Sequence, residues 1–214
     1  MEKIQHLKII DCEESLYLRP ARMVFEQDGR EKTWDLLKVH DSVGAVIFNI
    51  SRQVLVFVRQ FRPAVYYSMV PFEDVEYGKD IDTRKYPTSL GFTIELCAGI
   101  VDKDQSLAEI MKDEILEECG YSVPLEAIQK ITSYRSGVGV AGSLQTVYYA
   151  EVTDSMKVSD GGGNRHEGEY IELVELDLPQ AKALIYDETV PRPLALVFAL
   201  TWFFNNKLKI SQKL

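Results

Sequence analysis

Glu114, Glu117 and Glu118 stand at positions i, i+3 and i+4, so they share one face if the segment is helical. Like charges at that spacing repel, which costs stability unless a cation sits among them. At about 100° per residue, Leu107, Ile110, Met111 and Ile115 form an apolar stripe, and the three acids continue it. Glu109, Lys112 and Asp113 fall on the other side, where a solvated face belongs. A solvated acidic face is the bland alternative, and the wheel position argues against it. Carboxylates converging on shelter are hard oxygen ligands, a set that suits Mg²⁺ or Mn²⁺ together with waters and substrate phosphates.

Local signals frame this helix. Ser106 and Glu109 have capping-box spacing, and Gly120 is placed to close the C-terminal end in a left-handed conformation. Upstream, Glu95-Leu96-Cys97-Ala98-Gly99 reads as a strand end entering a tight turn. The unit is strand, glycine-bearing loop, acidic helix.

That unit resembles the Nudix box, G-x5-E-x7-R-E-U-x-E-E-x-G-U with U apolar. Gly99, Glu114, Ile115, Glu117, Glu118, Gly120 and Tyr121 hold their places in it. Gln105 stands where the pattern has Glu and Asp113 where it has Arg. The Arg of the pattern braces its neighbours, so its loss bears on the geometry while leaving all three ligand positions. Gln60-Phe61-Arg62-Pro63 is similar to an element of the nucleoside-diphosphate-sugar branch. Along Trp34–Pro63 and Glu95–Gly142 the chain looks like the UDP-glucose-hydrolysing members of that branch.

The resemblance implies an α/β (α+β) Nudix fold: a mixed sheet sandwiched between helices, with an appended N-terminal antiparallel β-sheet. It implies a β subdomain over 1–41, for dimerisation and base stacking, and a hydrolase domain over 42–214. It implies Mg²⁺, with Mn²⁺ as substitute, held by Glu114, Glu117, Glu118 and the Ala98 carbonyl, with Glu169 as accessory. Glu167, on a loop rather than in the box, is the implied general base, with Glu117 also among the catalytic groups. Arg62 is the implied phosphate clamp, Trp34 the base-stacking ring, and Glu95 and Gly139 parts of the cleft wall. For Trp34 core packing, and for Arg62 a surface ion pair, are the plain alternatives. The expected reaction turns UDP-glucose into UMP and glucose 1-phosphate. ADP-ribose is the alternative substrate, and a non-catalytic nucleotide-binding module the alternative outside the class.

The remaining chain supplies the frame. A 46% hydrophobic composition in 214 residues is ample for a core. A net charge of −9 argues against a nucleic-acid surface, which is read through Lys and Arg. Cys12, Cys97 and Cys119 show no paired spacing, which suits a reducing compartment, and the cytoplasm is expected. No long apolar run suggests a membrane span. Short strands are expected at Ile4–Ile10, Tyr17–Phe25 and Glu31–Val39, the last two joined by Asp28-Gly29. Strands are also expected at Val43–Ile50, Val54–Gln60, Ile128–Tyr134, Leu144–Glu151 and Tyr170–Val174. Residues 65–91 read as a long polar insertion, and Arg135–Ser143 as a glycine-rich hairpin loop. Ser159–Arg165 reads as a mobile loop delivering the two candidate acids. Helices are expected at Leu178–Asp187 and Pro193–Asn206, the latter apolar nearly all round and therefore buried.

Overall fold

Strand β3 (Ser42–Asn49) is buried from Val43 onward, as its nearly unbroken apolar sequence requires of a strand covered on both faces. The computed structural model describes residues 4–15, 18–165 and 168–208. One edge of β3 pairs in parallel with β8 (Ser143–Val152), from Ser42↔Gln145 to Asn49↔Val152. Its other edge is shared. The Asn49 end pairs antiparallel with β4 (Val54–Phe61), and the Ser42 end with β6 (Cys97–Ile100). Strands β5 (Phe92–Glu95) and β9 (Glu172–Asp177) extend β4, and β7 (Ile128–Ser136) pairs with β8. The outcome is a seven-stranded mixed sheet.

Helices cover both faces. Ile110, Met111 and Ile115 of α2 (Leu107–Cys119) pack on Val43, Ala45 and Ile47, the residues that alternation points to one side of β3. On the other side, Val46 and Phe48 meet α3 (Leu178–Leu184) and α4 (Leu194–Asn206). Helix α4 buries Leu196, Leu200 and Phe203 in this second core, which accounts for its apolar sequence. Among the described residues no helix is long and apolar enough to cross a membrane.

Helix α2 carries the caps its sequence announces. The Ser106 hydroxyl accepts the Glu109 amide at 3.3 Å, and the Glu109 carboxylate accepts the Ser106 amide at 2.9 Å. Gly120 ends the helix at φ 74°.

Outside the main sheet, β1 (Arg19–Gln27) and β2 (Arg30–Lys38) form a two-stranded ribbon turned at Asp28-Gly29, with φ 54° and 71°. Met23, Val24 and Trp34 are exposed on it. The expected strand at Ile4–Ile10 does not join this ribbon. Leu7 and Ile9 instead pack in a third small core with Tyr66, Val70 and Ile81 of the 65–91 insertion. Backbone bonds hold them there, Ile81 N–H to Leu7 O at 2.7 Å and Gly78 N–H to Ile9 O at 2.8 Å. The insertion offers buried apolar partners, and it opens with a helix, α1 (Pro63–Ser68), that sequence reading left as loop. Tyr17, expected to begin the second strand, lies outside the described residues.

Phe203 is fully buried and touches the rings of Phe48, Tyr149 and Phe204. Phe203→Ala should therefore cost about 3–5 kcal/mol, read as a lower urea midpoint at unchanged m-value. A cost below about 1 kcal/mol would show that α4 does not seal that core.

Candidate active site

A cleft of about 740 Å³ opens at the Ser42 end of β3, and Glu114, Glu117, Glu118 and Glu169 all line it. The helical stripe is continued by the acids to different depths. Glu118 is only 3% exposed, Glu114 is half-buried and Glu117 lies at the exposed rim. One Glu118 oxygen accepts the Ala98 amide at 2.9 Å, tying α2 to β6. Burial pushes the Glu118 carboxyl up to about 8, with Glu114 and Glu169 adding repulsion and the Ala98 amide opposing it. Burial and the neighbouring Glu117 push Glu114 up to about 7, while Lys103, also in the cleft wall, pulls it down. Among the described residues no group of three or more acid, thiol or imidazole side chains is placed to hold a metal ion. Glu114, Glu117, Glu118 and Glu169 nevertheless share one cleft with Arg62 and Lys103. Carboxylate oxygens are the donor type a hard divalent cation takes when waters and substrate phosphate supply the rest of its shell.

Glycines make the convergence possible. The tight turn expected at Gly99 is instead strand β6, with Gly99 paired to Val43. A Cβ on Gly99 would lie 2.3 Å from the Glu114 carboxyl, so the acid can lie over that strand only because nothing is there. The tract Ser159–Arg165, expected to be mobile on composition, is fastened to the end of α2 instead. Gly162 and Gly163 donate their amides to the carbonyls of Glu118 and Glu117, at 2.9 and 3.3 Å. These are last-turn carbonyls that the helix leaves without partners. Gly161 and Gly162 hold φ 71° and 108°, and a Cβ on Gly161 would meet the Glu118 carbonyl at 2.4 Å. The same tract leads to Glu169, whose carboxylate accepts the Asn164 amide at 3.2 Å within the cleft wall. Glu167, the implied base, lies outside the described residues.

Across the cleft, Arg62 donates two parallel bonds to Glu95, at 2.8 and 2.7 Å. Burial works to raise the Glu95 carboxyl, but the guanidinium outweighs it and leaves the acid below its usual range. Arg62 is held at the end of β4 by its amide, which donates to the Gly91 carbonyl at 2.8 Å. Both residues reach the cleft.

Trp34 and Gly139 do not line it. They meet each other: the indole N–H donates to the Gly139 carbonyl at 2.8 Å, and the ring stays 56% exposed. With the Leu37 amide on the Val140 carbonyl, this fastens the glycine-rich loop to the ribbon. Core packing of Trp34 is thereby excluded.

The two departures from the box pattern face one another, with the Gln105 amide 3.4 Å from the Asp113 carboxylate on the outer side of the helix. Of the loop Arg135–Ser143, Arg135, Ser136, Gly137 and Val138 line the cleft, whereas Lys103, Tyr134, Gln145 and Leu194 are cleft residues that sequence reading passed over. Their only signal was position, at strand ends or helix starts flanking the acids.

Fold and cleft together define the Nudix class: a glycine-bearing strand, a loop and a capped acidic helix aimed into the open end of a mixed sheet. No family model matches the chain. Its similarity to curated proteins is extensive. Uridine diphosphate glucose pyrophosphatase NUDT14 of Bos taurus is 43% identical over 213 residues, 96% of either chain. The Mus musculus protein of that name is 42% identical over the same length. GDP-mannose pyrophosphatase of Citrobacter koseri is 34% identical over 140 residues, 65% of this chain and 61% of its own. The chain belongs to the Nudix family of sugar-nucleotide pyrophosphatases, hydrolases of phosphoric anhydrides.

The raised carboxyls have a consequence for stability. In the folded protein Glu114 and Glu118 keep protons up to about pH 7 and 8, whereas unfolded glutamates lose them near 4.5. The folded state then binds more protons between those limits, so stability falls as pH rises through them. Chelator-treated protein should melt at progressively lower temperature from pH 5 to pH 8, and Glu118→Gln should flatten that slope. Parallel slopes in the two proteins would contradict the burial assigned to Glu118.

Proposed function

We propose that the chain hydrolyses the diphosphate of UDP-glucose, releasing UMP and glucose 1-phosphate. The observation that carries this reading is the four-carboxylate cleft facing Arg62, in a chain alike along nearly its whole length to two UDP-glucose pyrophosphatases. Glu114, Glu117, Glu118, Glu169 and the Ala98 carbonyl would hold Mg²⁺, or Mn²⁺ in its place. When bound, the ion neutralises the diphosphate and makes the attacking water more acidic. Glu167 takes the proton from that water. Arg62 clamps a substrate phosphate with its planar guanidinium, sharing it with or releasing it from Glu95.

The ribbon has its own part in this reading. Trp34 offers an exposed ring for the base, and the apolar surface of Met23 and Val24 serves a homodimer. Residues 1–41 then act as the dimerisation and base-stacking subdomain and 42–214 as the hydrolase domain. Three free cysteines, two of them buried, suit a cytoplasmic protein.

Product analysis with Mg²⁺, offering UDP-glucose and ADP-ribose in parallel, tests the reading. UMP plus glucose 1-phosphate is expected. AMP plus ribose 5-phosphate alone would move the substrate assignment, and no product from either, with Mn²⁺ also tried, would mark a binding module. Glu118→Gln should lower kcat at least about 100-fold with the fold intact, because it removes a ligand rather than a packing group. Gly99→Ala should also cost activity, since the new methyl group displaces the Glu114 carboxyl. Wild-type turnover in both variants would sink the ligand assignment.

A further inference from the structure

One wall of the cleft has no role in the chemistry above. Ile100 of β6, Ser42 of β3, Gln145 of β8 and Tyr134 of β7 are direct cross-strand partners, and all four line the cleft. Paired residues share a sheet face, so they form one continuous row across four strands. The row begins at Ile100, the residue after Gly99, on the face of the sheet that carries α4 rather than the Glu114 carboxylate, and ends three strand spacings, roughly 14 Å, away. The acids and the row line one cleft, so a group joined to a phosphate held at the acids reaches Ser42 and Gln145 across the end of the sheet.

The chemistry of the row is neutral and hydrogen-bonding. The Tyr134 hydroxyl donates to the Gln145 carbonyl oxygen at 2.8 Å. That bond fixes the orientation of the carboxamide and leaves both Nε2 hydrogens as donors. Opposite the row, Pro193 and Leu194 at the start of α4 supply an aliphatic surface, and Leu194 is 76% exposed. A fixed amide with neighbouring hydroxyls on one side and aliphatic carbon on the other suits a sugar ring, with its hydroxyl edge and its C–H face. It suits a flat base less well. The Tyr134 ring is already packed edge-on against Phe198 at 5.8 Å, and the exposed indole of Trp34 lies off the row.

We propose that Gln145, oriented by Tyr134, selects the sugar of the nucleotide-sugar substrate by donating its amide hydrogens to a ring hydroxyl. The inference rests on the hydrolase reading above. Gln145 is a specificity residue and Tyr134 a positioning residue. A hydroxyl of the substrate would replace water on this partly buried amide, so a sugar lacking the right hydroxyl is penalised.

The test compares kcat/KM of wild type, Gln145→Leu and Tyr134→Phe on UDP-glucose, its epimer UDP-galactose, and ADP-glucose. Gln145→Leu should lose about tenfold on the better hexose. It should also bring the glucose-to-galactose ratio toward one while leaving the UDP-to-ADP ratio unchanged. Tyr134→Phe removes only the orienting hydroxyl and should shift the same ratio less, which keeps the test available if the leucine variant misfolds. A change in the base ratio with the sugar ratio intact would assign the row to the base and overturn the proposal. Unchanged ratios in active variants would also overturn it, without touching the hydrolase reading. Failure of wild type to cleave any of the three would remove that reading first.

Discussion

Repulsion among carboxylates is the constraint around which this molecule is built. Glu114, Glu117, Glu118 and Glu169 share one cleft, and the deepest is withdrawn from water. Left to itself such a cluster would splay. The fold resists by fixing both ends of α2, with the Ser106–Glu109 box at one and the Gly120 cap at the other. Packing of Ile110, Met111 and Ile115 sets the helix roll, so the acids cannot rotate into solvent without exposing the core. Protonation of Glu114 and Glu118 near neutral pH supplies the remaining relief. Stability and chemistry pull in opposite directions here, as they do wherever charge is gathered before its partner arrives.

The opposite wall shows the converse arrangement. Arg62 and Glu95 satisfy each other through two bonds, so that wall is electrostatically settled. The neutral row of Ser42, Gln145 and Tyr134 runs away from that pair, toward the β7 edge of the sheet. Paired charges, clustered acids and a hydrogen-bonding row make three regions of different chemistry within one cleft. A nucleotide sugar is itself tripartite, with an anionic diphosphate between two largely neutral ends.

How much of this was legible in the sequence follows from the range of each interaction. Strands β3, β4, β7, β8 and β9, the caps of α2 and the burial of α4 are written in local periodicity and in short-range capping residues, and they were readable within a few residues. The convergence of the Nudix box followed from spacing alone. Four things were not legible. Ile4–Ile10 alternates like a strand, but its apolar side chains find partners in residues some seventy positions later, which no local pattern encodes. The glycines at 161–163 have the composition of a tether. Their left-handed backbone acquires a purpose only when the end of α2 is present to receive their amides. Gln145 and Tyr134 become neighbours through β-pairing across the Gly137–Gly142 loop, so they carry no motif. The departures Gln105 and Asp113 read as two separate anomalies, and in space they are one contact.

The strapping of the N-terminal segment onto the insertion bears on the order in which the chain is made. Leu7 and Ile9 precede the sheet in the chain, but Gly78 and Ile81, whose amides their carbonyls accept, are synthesised only about seventy residues later. Until then this segment has no place to dock, and the ribbon, whose two strands are adjacent in sequence, can pair well before it. This segment, made before its partners, must therefore wait for them. When the strap settles, it closes the small core around Tyr66 and Phe61, immediately beside the arginine at the end of β4. Assembly of that side of the cleft is thus tied to the arrival of chain that translation produced before any of the sheet existed.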